Sequence, residues 1–291
     1  MVTLHKVTIA FTPSIDVPFI NWHGLILSAL VTEALINGGF AIDHNARKHL
    51  YITPILNQKD EPILGRVLKG GLEYKFNVTV VNEEARDALV NWFVKKNGFI
   101  LNGVNASLTS VSITEEKVEI SSGGKGNESS KVIVTWNVDY GPTVFRFRAS
   151  NVLYPSPRML IFSMARRLSD VLTNNEIVIR RGNVEYVGVI GSINLKDIAR
   201  ELALNTELIK FTGFKLIKLS LGSRGNVERR VPAFTAKASY LTLVDKSTLP
   251  IFREMIKVAN MTGVGKNTSI ALGYVKTRIE GIREIKGSSN Q

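Results

Sequence analysis

Two sets of residues have the types needed to handle phosphate groups and protons. The first is the stretch 262–274, TGVGKNTSIALGY, which sets Gly263, Gly265 and Gly273 around Lys266, Asn267, Thr268 and Ser269. Glycine lets a backbone come close to a ligand and take up positive φ, and successive N–H groups in such a loop form an anion-binding concavity. A nucleotide-binding P-loop is excluded, because Asn260 stands where its first glycine belongs and Asn267 follows Lys266 where Ser or Thr is required. A dinucleotide fingerprint fails as well, since the glycines follow a helical pattern and no third one sits three residues on. A phosphate cradle and a glycine-rich turn without a ligand both remain open. The second set is the histidines, of which the chain has four, with His23, His44 and His49 in one short region and His5 in a strand-like alternation, where a structural role is expected. No two stand at the i, i+4 spacing of a helical zinc site, cysteine is absent, and no acidic cluster offers an oxygen cage. The reading is therefore of no metal and no cofactor, and of metal-free chemistry if there is any.

The formal charge of +12 and a pI near 9.8 point to a polyanionic partner, either nucleic acid or an anionic membrane surface. A membrane is disfavoured. No run approaches 18 apolar residues, and residues 1–13 lack the apolar block of a signal peptide, so a cytoplasmic chain is expected. Positive charge is densest between 207 and 237, where Lys210, Lys215, Lys218, Arg224, Arg229, Arg230 and Lys237 face only Glu207 and Glu228. This basic hairpin is either a solvated edge that discourages strand pairing or a surface that contacts phosphates. Arg158, Arg166 and Arg167 form a second cluster on a helix beginning near 155.

The elements that must position these residues follow from periodicity and punctuation. Strand 4–12 stops at Pro13, and a helix over 22–37, with Asn21 as its cap, ends at Gly38-Gly39. A polar link over 43–49 leads to a strand over 50–56. Gly70-Gly71 reads as a hairpin turn between 65–69 and 72–81, and Asn82 caps a helix over 83–96 with acids first and lysines last. Strands are expected over 106–120 and 131–140, joined by the flexible loop 121–130. Gly141-Pro142 then serves as a domain boundary. Beyond it lie a strand over 143–149, a helix over 155–173, strands over 176–181 and 185–190, a helix over 194–204, and strands over 208–221 and 231–243. A helix over 246–260, the glycine-rich loop and a strand over 273–285 close the chain. Trp92, Phe93, Phe145 and Phe147 are assigned to the cores. The expected fold is α+β, two tandem ferredoxin-like (RRM-like) domains: 1–142 with the histidines, and 143–291 with the basic hairpin and the C-terminal glycine-rich loop.

This layout, with the triplets 263–265 and 271–273 about residues 266–270, resembles the RAMP superfamily of CRISPR-associated proteins, Ala271 replacing one glycine of the loop pattern. Within it the chain is most similar to the endoribonucleases that cut CRISPR repeat RNA, the sixth-numbered Cas family, also through its 23–25 helix and the stretch FRASNVLYPSPR at 147–158. The resemblance implies metal-independent attack of a ribose 2′-hydroxyl on the adjacent phosphate, leaving a 2′,3′-cyclic phosphate and a 5′-hydroxyl. It makes His44 the first choice for general base or acid, with Lys48 stabilising the transition state, His49 as an alternative acid and His23 as a further candidate. Where the family carries a tyrosine on the first helix, this chain has Leu27 or Ser28. Gly263, Gly265 and Lys266 are the implied loop contacts to RNA, joined by Lys218, Arg224, Arg229 and Arg230 of the hairpin. The partner is then repeat RNA or its product crRNA, bound by a monomer or homodimer. Noncatalytic RAMP relatives share fold and loop, so the alternative is an RNA-binding subunit of a CRISPR effector complex.

Overall fold

The computed structural model describes residues 1–41, 50–120, 130–173, 189–190, 193–224 and 227–285. The first sheet is built on β1 (Val2–Pro13), whose Val7, Ile9 and Phe11 are fully buried. It is followed by α1 (His23–Asn37), β2 (Tyr51–Ile52), β3 (Tyr74–Val80), α2 (Glu83–Lys96), β4 (Gly98–Leu101) and β5 (Val104–Val118). The strand order is β2-β3-β1-β5-β4, and every pairing is antiparallel. Both helices cover one face, where Leu27, Val31, Ala34, Leu89 and Phe93 close over Phe11, Phe76 and Val78. Helix α2 takes the expected limits because its ends are specified locally. The Asn82 side chain accepts from the N–H groups of Glu84 and Ala85, and Asn97 stops the helix with φ 51°.

The second sheet repeats the plan. Its elements are β6 (Lys131–Thr143), the hairpin of β7 (Phe145–Phe147) and β8 (Ser150–Val152), α3 (Pro157–Leu172), α4 (Leu195–Leu204), β9 (Thr206–Arg224), β10 (Val227–Asp245), α5 (Leu249–Thr262) and β11 (Val275–Glu284). The order β9-β10-β6-β11 makes β6 central, with Trp136 opposite Tyr240 on one side and Ile279 on the other. Val132, Val134, Trp136, Val138 and Tyr140 point alternately into a core shared with Leu160, Met164, Phe252 and Met255. Polar atoms in that core are partnered: Trp136 Nε1 donates to Thr242 Oγ1 at 2.9 Å, and the hydroxyls of Tyr140 and Tyr240 lie 2.7 Å apart.

The domain boundary expected at 141–142 falls inside strand β6, which runs through Gly141 and Pro142; we propose instead that the second domain begins at Lys131. The punctuation misleads because these two residues face the single Thr235 between the pairs Tyr140–Ala236 and Thr143–Phe234. At such a bulge a proline removes no ladder hydrogen bond. Three smaller expectations also change. Gly70-Gly71 joins no hairpin, since Val67–Leu68 pairs with Val17–Pro18 and β3 pairs with β1. The 50–56 strand shrinks to β2 ahead of Pro54, and α1 has no side-chain cap, the Asn21 oxygen accepting instead from Ser220 Oγ. The strand expected over 176–181 lies outside the described residues, as do 185–188, while Val189–Ile190 pairs with Ile193–Asn194. Among the described residues no helix is long and apolar enough to cross a membrane.

The revised boundary is tested with two fragments. Residues 130–291 are expected to unfold cooperatively in urea, whereas residues 143–291, lacking the central strand, should show no cooperative transition by circular dichroism.

Candidate nucleic-acid interface

Helix α5 ends at Gly263, and the turn that follows is held almost wholly by its own backbone. The N–H of Gly263 donates to Ala259, that of Val264 to Gly273, that of Lys266 to Val144 and that of Gly273 to Pro142, all to carbonyl oxygens at 2.7–3.0 Å. The N–H of Gly265 donates to Ser163 Oγ at 2.6 Å. Gly263, Gly265 and Gly273 all have positive φ, and a Cβ would lie 2.6 Å from the Gly273 oxygen, 2.5 Å from the Val144 oxygen and in overlap with the Val264 oxygen respectively. The concavity of free N–H groups expected at Gly263 and Gly265 is thus not formed. These glycines permit backbone-to-backbone contact, and their amides hold the protein. Lys266 projects from this braced turn and is exposed.

The first domain is fastened to the same turn. Trp22 Nε1 donates to Ile270 O at 2.8 Å, and Gly24 lies so close that a Cβ would overlap that oxygen. From α3, the buried Arg167 donates to Gly265 O and Thr268 Oγ1, each at 3.0 Å, and sits 5.1 Å above the ring of Tyr51 in β2. One guanidinium therefore joins the glycine-rich turn to both domains. The sequence offered no means of separating this arginine from its exposed neighbours. Beside the joint, a cleft of about 720 Å³ is bounded by Leu25, Ser28, Thr32 and Ile36 of α1, by Leu50, and by Ser269 and Ile270. His44, Lys48 and His49 lie outside the described residues, in the stretch between Ala41 and Leu50.

His23 is described, and its surroundings are those of a packed side chain. It is 2% exposed, its Nε2 accepts the Ile55 N–H at 3.1 Å, and Trp22 and Phe19 flank its ring. Burial disfavours the cation and lowers its pKa to about 3. With its acceptor nitrogen engaged by the Ile55 N–H, this imidazole is arranged as a packing residue rather than a proton carrier. His5 is also buried, with Nδ1 3.0 Å from Glu115.

The basic hairpin, β9 and β10, is longer than the sheet it belongs to and reaches the first domain. Trp22 N–H donates to Ser220 O at 2.7 Å, and Leu219, Leu221 and Val231 pack on the first core. Between the hairpin and residues 19–23 lies a cleft of about 550 Å³, lined on its polar side by Arg66, Lys218, Glu228 and Arg230. Lys218 and Arg229 are exposed, whereas Arg230 pairs with Glu228 at 2.6 Å. The side chain of Arg224 lies outside the described residues. Arg66 was missed because it stands alone in the sequence. Phe147 departs from its expected core position: Phe145, Trp92 and Phe93 are buried, but Phe147 is 45% exposed.

Residues 140–275 match the model of a family described as CRISPR-associated endoribonuclease Cas6. No curated protein matches the chain. Among solved structures, a Cas6 product complex aligns with a TM-score of 0.63 at 15% identity, covering 94% of this chain and 100% of that one. Thermus thermophilus Cas6 aligns at 0.56 and 15% identity, over 96% and 99%. A protein from a Cas6-related gene of Pyrococcus furiosus aligns at 0.51 and 16% identity, over 96% and 100%. At such identities the likeness is one of fold, and it bears out the tandem ferredoxin-like reading.

Two measurements test this geometry. Gly273→Ala should lower the unfolding free energy by at least ~2 kcal/mol, from overlap with Val264 and strain at positive φ. The second concerns His23, whose folded-state pKa lies below its unfolded value of 6.5. The unfolded chain therefore takes up the proton first, so the stability is fully present above that value and is lost as pH falls towards the folded pKa, by about 1.4 kcal/mol per unit. In urea titrations the stability difference between wild type and His23→Gln should move by ~2–3 kcal/mol against wild type between about pH 6 and pH 4.

Proposed function

We propose that this chain, whose residues 140–275 match the model of the CRISPR-associated endoribonuclease Cas6 family, cuts CRISPR repeat RNA using its own side chains and no metal ion. The observation that carries this is the coincidence of the family match with a fold shared over 94% of the chain with a Cas6 product complex. The cleft beside α1 supports it, because Ser269 and Ile270 of the glycine-rich turn and Leu50 border it together, and Leu50 ends the stretch that carries His44, Lys48 and His49.

In the proposed reaction a base removes the proton of a ribose 2′-hydroxyl and the oxygen attacks the adjacent phosphorus. The bond to the 5′-oxygen breaks, that oxygen takes a proton from an acid, and the products are a 2′,3′-cyclic phosphate and a 5′-hydroxyl. With His23 buried and neutral, His44 is the proposed base or acid and His49 the alternative acid. Lys48 supplies positive charge to the phosphorane-like transition state, where a compact ammonium is worth more than in the ground state. Lys266, Lys218 and Arg229 are proposed as phosphate contacts, with Arg224 and Arg230 completing the basic hairpin. Arg230 would have to exchange Glu228 for a phosphate. Gly263 and Gly265 act by shaping the turn.

The test mixes the protein with labelled repeat RNA in excess chelator. A discrete product ending in a cyclic phosphate is expected, and a 2′-deoxy substitution at the cut site should abolish cleavage while binding persists. His44→Ala should slow single-turnover cleavage by about 10²- to 10⁴-fold with little change in affinity. A wild-type rate in that variant excludes His44, and RNA that is bound but never cut favours a noncatalytic subunit of an effector complex. Lys266→Ala should weaken binding and reduce the slope of log affinity against log salt by about 1, leaving turnover at saturation nearly unchanged.

A further inference from the structure

The hairpin of β7 and β8 turns through Arg148 and Ala149 and presents Phe147 to solvent. Arg148 holds φ 54°, a left-handed conformation uncommon for arginine, and Arg146 Nε donates across the turn to Arg148 O at 3.2 Å. The turn places the Arg148 guanidinium 5.5 Å from the centre of the Phe147 ring, and Arg158 from α3 lies 5.6 Å from the same centre. At these distances both guanidinium groups are within cation–π reach of the ring, which keeps 45% of its surface exposed. Arg146, Arg148 and Arg158 are all exposed, and none forms an ion pair with a carboxylate among the described residues. An exposed aromatic ring surrounded by cations that lack anions matches a nucleotide, which brings a π face and phosphates together. The position suits the same ligand. Val144, whose carbonyl oxygen receives the Lys266 N–H, is three residues before Phe147, or roughly 10 Å along an extended strand.

We propose that Phe147 is a stacking platform for one unpaired base of a bound RNA, with Arg148 and Arg158 meeting the phosphates on either side of it. This rests on the RNA-binding reading above and adds a specific subsite to it. A protein partner fits less well, since it would have to bring carboxylates to three arginines around one ring.

The experiment uses repeat RNAs that carry a single 2-aminopurine, a base whose fluorescence is quenched by stacking, moved stepwise along the strand. One position is expected to be quenched on binding wild-type protein and to stay bright with Phe147→Ala, whose Kd should rise about tenfold. Phe147→Trp should restore both quenching and affinity. Phe147→Leu, which keeps the apolar cover but not the π face, should restore neither, and all three variants should unfold at the wild-type temperature. Unchanged quenching at every position, or unchanged affinity in Phe147→Ala, overturns the platform while leaving RNA binding standing. Failure of the wild-type protein to bind repeat RNA at all overturns the RNA-binding reading and the platform with it.

Discussion

The structure depends on the closeness with which four backbone segments meet at residues 263–273. The end of α5, the start of β11, the Pro142–Val144 stretch and the first turn of α1 approach to distances at which a single Cβ would collide with a carbonyl oxygen. Only glycine allows this, and it is required at several points at once: at Gly263, Gly265 and Gly273 within the turn and at Gly24 across the domain boundary. Close approach then lets main-chain groups satisfy each other away from water, so the joint needs few side chains. Arg167, Trp22 and Ser163 are exceptions: the first two direct donors to carbonyl oxygens of the turn, and Ser163 Oγ accepts the Gly265 N–H.

This changes what a glycine-rich loop means here. Its composition invites the picture of a phosphate nest, in which free amides wait for an anion. In this chain the amides of the glycines are engaged, and the positive charge that could meet an anion is displaced onto projecting side chains: Lys266 on the turn, Lys218 and Arg229 on the hairpin, and the arginines around Phe147. The division is physically reasonable. A frame of main-chain contacts confines charge burial to the single guanidinium of Arg167, while exposed cations keep their hydration until a polyanion releases its counterions.

What could be read from the sequence was whatever is specified locally. The limits of α2 follow from Asn82 and the charges at its ends, and the repeat of strand, helix, two strands, helix and strand follows from periodicity, which was enough for the fold class. What could not be read depends on partners distant along the chain. The bulge that accommodates Pro142 exists because of Thr235, the amide of Gly265 is occupied by Ser163, and His23 is buried by Phe19, Trp22 and Ile55. Phe147 looked like Phe145 because strand alternation is lost where a short hairpin leaves the sheet. Within the candidate site, histidine and lysine could be named from the sequence, but a buried neutral imidazole could not be told from an exposed one.

The strand order of the second sheet also governs how the chain is made. Its central strand, β6, emerges before every one of its neighbours, and the strand that flanks it on one side, β11, is the last element among the described residues. During synthesis, therefore, the first sheet can close early. The Trp136 strand must wait with one edge unsatisfied until β11 has left the ribosome. Sequence separation of this kind slows folding and exposes pairing edges to the wrong partner. The early, complete first domain gives the late one a surface to settle on: Leu4 from β1 and Val118 from β5 already belong to the second core.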